Sequence, residues 1–220
     1  MGINERKSRE KESRIKQIRD SAAALFYKKG YAATTIENIA TLTEISKATI
    51  YLYFRSKDDL YYSLVEPSLD RLSKRLIAIA NMKELDPEIR IRNVVSATYD
   101  FYKGDHDAYH LVSRYEASGF SKLLSKDKLC HLKDLMRSNI NQVGIIISDG
   151  IATGRFCESN SKMTAIIIWN TFMGIIQFQE NRLAEGSSDY RRLTIDGAVE
   201  IILRGIRKSY FSNKLNAFRI

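Results

Sequence analysis

Apolar residues recur three and four positions apart along almost the whole chain, and only two prolines, Pro67 and Pro87, interrupt them. That period belongs to helices that bury one face. The runs VGIII (143–147) and AIIIW (165–169) have strand propensity, yet each lies inside a longer helical pattern, so length favours helix. With 44% hydrophobic residues in 220, the chain can build a core without metals or disulfides. The expectation is an all-α protein of about nine helices.

Local signals divide the pattern. A first helix places Ile15, Ile18, Ala22, Leu25 and Phe26 on one face and closes at KKG, with Gly30 suited to the left-handed C′ position. Thr34 and Glu37 have capping-box spacing for a short second helix that turns Ile36, Ile39 and Ala40 inward. Ser46 caps a third helix running to about Phe54, and Ser56 caps a fourth that starts at Lys57. Pro67 predicts a kink or break in the fourth, and Asp86-Pro87 starts a fifth that ends near Gly104. Further helices are expected over about 105–118, 125–153, 161–184 and 189–212, the last two separated by EGSSD.

Charge is unevenly placed. Residues 1–57 hold 12 Lys and Arg against 6 Asp and Glu, so the first quarter carries +6 of the formal +9. Such concentration suits a phosphate backbone, although Glu5, Glu10 and Glu12 also fit a solvated helix face. The charged start resembles no signal peptide, and no run reaches the ~20 apolar residues of a membrane span. A cytoplasmic protein with no membrane partner is expected. Cys130 and Cys157 lack metal spacing, and two buried thiols are expected rather than a disulfide.

Three short helices in succession, the second and third joined by about four residues, make a helix-turn-helix arrangement. Ser46–Tyr53 would span ~12 Å, about the width of a major groove. Ser46 and Thr49 can exchange hydrogen bonds with base edges, Lys47 can meet a phosphate or guanine, and Ala48 permits close approach. Ser46 also serves as a plain N-cap; both roles are compatible. Ile50 and Phe54 should pack inward, leaving the hydroxyls of Tyr51 and Tyr53 for flanking phosphates. Lys57 and Thr35 begin helices four and two, where anions are favoured.

The segment AAALFYKKGYAATTIENIATLTEISKATIYLYFRSKDDL resembles the N-terminal DNA-binding domain of the TetR family of bacterial transcriptional repressors. G-Y-x-x-T-T, I-x-x-I-A, S-K-x-T-I-Y-x-Y-F and S-K-x-x-L follow in the family's order and separation, over about 50 residues. The resemblance implies a homodimer with two recognition helices in successive major grooves, and a helical ligand-sensing and dimerisation domain in the rest. It places Thr35, Ser46, Lys47, Ala48, Thr49, Tyr51, Tyr53 and Lys57 at the DNA. Glu44 and Ala48 stand where the family often has glycine.

The implied division is a DNA-binding domain at 1–57, with the helix-turn-helix at about 35–54 and a basic arm at 1–14, and a ligand-binding and dimerisation domain at 58–220. Gly174, Gly197 and Gly205 interrupt apolar stripes in the last two helices, which suits a dimer interface through about 161–184 and 189–212. Tyr99, Tyr102, Tyr109, Trp169, Phe172 and Gln177 are candidate lining for a pocket that takes a hydrophobic or amphipathic effector. HDAYH (106–110) offers the alternative of a metal-dependent hydrolase using His106 and His110, with Asp107 in place of the zinc-hydrolase glutamate and His131 a third ligand by elimination. A further alternative is an architectural DNA-binding protein without ligand control. The favoured expectation is a ligand-responsive repressor on a palindromic double-stranded operator, with no catalytic residue, metal or cofactor.

Overall fold

The computed structural model describes residues 2–105, 108–112, 124–157, 159–184 and 188–208. Among them the chain is all-α: α1 (Ile3–Ala33), α2 (Ile36–Thr43), α3 (Lys47–Tyr53), α4 (Lys57–Asn81), α5 (Pro87–Gly104), α6 (108–112), α7 (Lys126–Ala152), α8 (Ser161–Ala184) and α9 (Arg191–Ile206). Both apolar runs with strand propensity are helical. His106, Asp107, residues 113–118 of the expected sixth helix, the first three residues of EGSSD and residues 209–212 lie outside the described residues.

The basic arm is already helix from Ile3, and its side chains from Glu5 to Arg14 are exposed. Burial begins only where Ile18, Ala22 and Phe26 line one face. Gly30 does not take the expected left-handed C′ geometry. Its φ of 78° and ψ of 164° lie in a region reserved for glycine, and one more helical turn follows. Capping of α2 also differs from expectation. Thr34 is buried and gives its hydroxyl to the Gly30 carbonyl at 2.8 Å, so the cap falls one residue later. There Thr35 Oγ1 accepts the Asn38 N–H at 3.1 Å and Asn38 Oδ1 accepts the Thr35 N–H at 3.2 Å.

Pro67 neither ends nor divides α4, which runs unbroken from Lys57 to Asn81. One missing backbone hydrogen bond is outweighed by apolar burial on both sides, at Val65 and Leu69. Helix α9 is shorter than expected, because Arg207 turns to extended backbone and pairs with Phe156 in an isolated bridge. Its guanidinium holds Glu88 through two hydrogen bonds of 2.8 and 2.5 Å.

The chain divides into two compact units, residues 1–72 with 100–135 and residues 73–99 with 136–220. The first is centred on Phe26, Tyr31 and Tyr61, whose rings lie 5.2–5.5 Å apart, and Tyr61 donates to the Leu111 carbonyl at 2.7 Å. The second has an aliphatic core that includes Leu76, Ile91, Val143, Ile147, Ile176 and Leu203. Arg90, 2% exposed, donates there to the Ala80 carbonyl at 2.8 Å and to Asp149 at 2.9 Å. Cys130 and Cys157 are free but exposed, which corrects the expectation of buried thiols. Among the described residues no helix is long and apolar enough to cross a membrane.

Candidate nucleic-acid interface

The turn between α2 and α3 rests on Glu44, the one non-glycine residue with positive φ among those described (φ 54°, ψ 35°). The Ile45 N–H reaches back to the Ala40 carbonyl at 3.0 Å and the Glu44 N–H to Thr41 at 3.3 Å. This is a Schellman closure with glutamate where glycine is usual, at a strain of ~1 kcal/mol. Gln17 Nε2 secures the same end by donating to the Thr43 carbonyl at 3.1 Å. The turn therefore keeps its shape through its own backbone hydrogen bonds and a side-chain contact from α1, without glycine.

After the turn, Ser46 Oγ accepts the Thr49 N–H at 3.1 Å and caps α3 as expected. It also lies 2.8 Å from Thr49 Oγ1, so these two hydroxyls satisfy each other. Ile50 and Phe54 are buried, Thr49 and Tyr53 half-buried, and Lys47, Ala48 and Tyr51 exposed. Lys47 Nζ is 2.9 Å from a Glu37 carboxylate oxygen across the two helices. Both partners are exposed, so the pair is worth ~0–1 kcal/mol and yields readily to a phosphate. Thr35 is exposed at the start of α2. Leu52, which the sequence reading passed over, is the most exposed large hydrophobic side chain among the described residues. Its position two residues before the inward Phe54 was the available signal.

Lys57 is placed differently from its expected role. Its ammonium points inward and donates to the carbonyls of Tyr31 at 2.9 Å and Thr34 at 2.8 Å, 4.1 Å from the Tyr31 ring centroid. Desolvation lowers its pKa, partly offset by Asp58. Tyr31 donates its hydroxyl to Asp58, and burial followed by that hydrogen bond raises the phenol's pKa. These contacts tie the start of α4 to the α1–α2 junction. Ser56 Oγ accepts the Asp59 N–H at 3.0 Å and Asp59 accepts the Arg55 N–H at 3.1 Å, completing the cap of α4.

The six candidate pocket residues are divided between the units. Tyr102 and Tyr109, buried in the first, meet edge to face at 4.9 Å. In the second, Tyr99 is buried under the Arg192 guanidinium at 5.6 Å, Trp169 is half-buried and Gln177 is exposed. Phe172 lines a shallow apolar groove with Ile91, Ile168, Ile175, Ile195 and Val199. Within HDAYH, His110 is buried against the edge of Tyr27 at 5.0 Å. His131 Nε2 lies 3.7 Å from a Glu66 carboxylate oxygen. No group of three or more His, Cys, Asp or Glu side chains among the described residues could hold a metal ion.

Comparison with known proteins agrees with the helix-turn-helix geometry. Residues 18–64 match the model of the bacterial regulatory proteins of the tetR family. The fatty acid metabolism regulator protein of Bacillus subtilis strain 168 is 25% identical over 150 residues, covering 68% of this chain and 74% of that protein. The ketosteroid transcriptional regulator KstR2 of Mycobacterium tuberculosis superposes with a TM-score of 0.74 at 21% identity, over 89% of this chain and 96% of the other. The regulator FadR of Bacillus subtilis in complex with stearoyl-CoA superposes with a TM-score of 0.66 at 22% identity, over 87% and 98%. The α2–turn–α3 geometry, the matched domain and the regulator-like fold of the remainder converge: the chain belongs to the TetR family of bacterial regulatory proteins and is a transcriptional regulator that acts through DNA.

Proposed function

We propose that this protein is a cytoplasmic, ligand-responsive repressor that binds a palindromic operator as a homodimer and performs no catalysis. The observation that carries the proposal is α3: a capped two-turn helix with Ile50 and Phe54 anchored inward and Lys47, Ala48 and Tyr51 outward. Residues 1–57 are the DNA-binding domain, and 58–220 sense the ligand and dimerise. Thr35, Ser46, Lys47, Ala48, Thr49, Tyr51 and Tyr53 are the contacts, with Lys57 beside them through its third ammonium N–H. One such helix reads few base pairs, whereas two related by a two-fold axis read half-sites ~34–36 Å apart.

Helices α8 and α9 supply the dimer surface. Along α9, Leu193, Gly197, Ile201 and Gly205 are spaced by four and exposed, and α8 exposes Met163, Ile167, Gly174 and Phe178. A Cβ added at any of these three glycines would have no neighbour within 4 Å, which leaves room for a crossing helix from a second copy. The effector is hydrophobic or amphipathic, in keeping with the aromatic side chains of the helical half and with the stearoyl-CoA complex of the FadR relative. Ligand binding shifts DNA affinity only by its preference for one arrangement of the dimer.

Selecting bound fragments from a genomic DNA pool, then adding acyl-CoA and other amphipathic metabolites to the complex, tests the reading. Palindromic enrichment, a steep loss of affinity with salt and release by one ligand class are expected. Equal affinity for selected and random DNA would sink it.

A further inference from the structure

The outward side of α3 has an apolar centre. At 100° per residue, Ile50 and Phe54 point into the protein, while Ala48 and Leu52, one turn apart, occupy the middle of the opposite side, with Lys47 and Tyr51 on one flank and Thr49 on the other. Leu52 is 80% exposed, so packing within this chain does not account for a leucine there. On the Thr49 flank the hydroxyls bond each other, since Ser46 Oγ and Thr49 Oγ1 lie 2.8 Å apart and Ser46 Oγ also accepts the Thr49 N–H. The centre of this face thus offers a base edge methyl and methylene groups. In the major groove, guanine, cytosine and adenine present hydrogen-bonding groups, and thymine adds a C5-methyl.

We propose that Leu52, with Ala48 beside it, is a specificity-determining residue that selects thymine by packing on its C5-methyl in the major groove. The proposal rests on the reading that α3 enters the groove, and it adds the base and the group that are read. Polar side chains around this patch then set position and register on phosphates, while the patch discriminates sequence.

Exchange of thymine for uracil, which removes the methyl and keeps every hydrogen-bonding group, tests this directly. In a selected operator, each thymine of one half-site is replaced in turn and affinity is measured by fluorescence anisotropy. The full-length wild type should bind about fourfold more weakly at one or two positions, the value of burying one methyl. Leu52→Ala should bind the thymine and uracil forms alike, Leu52→Gln should do the same with chain length retained, and Leu52→Met should keep the penalty. Thermal unfolding of each variant checks that the exposed site tolerates the change. A wild type indifferent to uracil at every position, or a penalty that persists in both Leu52→Ala and Leu52→Gln, overturns the proposal. Loss of the α3 reading itself has another signature, a wild type that shows no sequence-selective binding.

Discussion

At residue 44 a glutamate performs a turn that glycine would make without strain. Its φ of 54° is sustained by the backbone bonds from Ile45 and Glu44 to the last turn of α2, so the position is strained yet well determined. Glu44→Gly should raise unfolding stability by about 0.5–1 kcal/mol and leave operator affinity unchanged, as measured by urea denaturation and DNA titration. Lys57 presents the opposite case. Because two carbonyls depend on its ammonium, Lys57→Met should destabilise the protein by about 1–2 kcal/mol, whereas Lys47→Ala should leave stability unaffected. Lys47→Ala should instead weaken binding to all sequences and reduce the salt slope by about one. If Lys57→Met lowers the salt slope with stability intact, its inward role is wrong. The type and approximate place of these residues were legible in the sequence. The direction in which Lys57 points was not, because it depends on carbonyls 23 and 26 residues away.

Among the elements, the short ones were the most legible. Ser46, Ser56 and Asp86 start helices as their side-chain chemistry predicts, since an N-cap is satisfied by donors two or three residues on. The capping of α2 shifted by one residue because the buried Thr34 closes the end of α1 instead. A tertiary demand overrode a local pattern. Pro67 is a second such case, inside a helix held by burial on both sides. The closure of α7 on the following loop depends on close approach. A Cβ at Gly150 would lie 2.1 Å from the ring of Phe156, which is buried and cannot swing away. Gly150→Ala should lower stability by about 1–3 kcal/mol and loosen the bridge between Phe156 and Arg207, a change that hydrogen exchange at the Cys157 and Lys208 amides would register.

At the scale of the molecule, the stripes on α8 and α9 make assembly the main prediction. Ile201→Asp should convert a dimer to a monomer in analytical ultracentrifugation and weaken operator binding by at least a hundredfold, because each half-site then binds alone. A dimer that survives this change would move the interface elsewhere. One acid-sensitive contact lies in the second unit. The Arg207 guanidinium, hydrogen-bonded to Glu88, holds that carboxyl below its usual value; burial pulls the other way and the charge of Arg155 adds to the lowering. Since the folded value lies below the unfolded one, this stabilisation is complete above the ordinary carboxylate range and is lost as pH falls from that range through the lowered folded value. Glu88→Gln should therefore reduce the difference in urea midpoint between pH 7 and pH 4.

Helical class, the helix-turn-helix and the cap at Ser46 were determined by sequence alone, because periodicity and capping are local and need only neighbours within a turn or two. Tertiary structure decided the rest, where one group answers to another far along the chain. It turned Lys57 inward, moved the α2 cap to Thr35 and ended α9 at Arg207. By burying Ile50 and Phe54 it also left Leu52, the most exposed large apolar side chain among the described residues, on the outward face of α3.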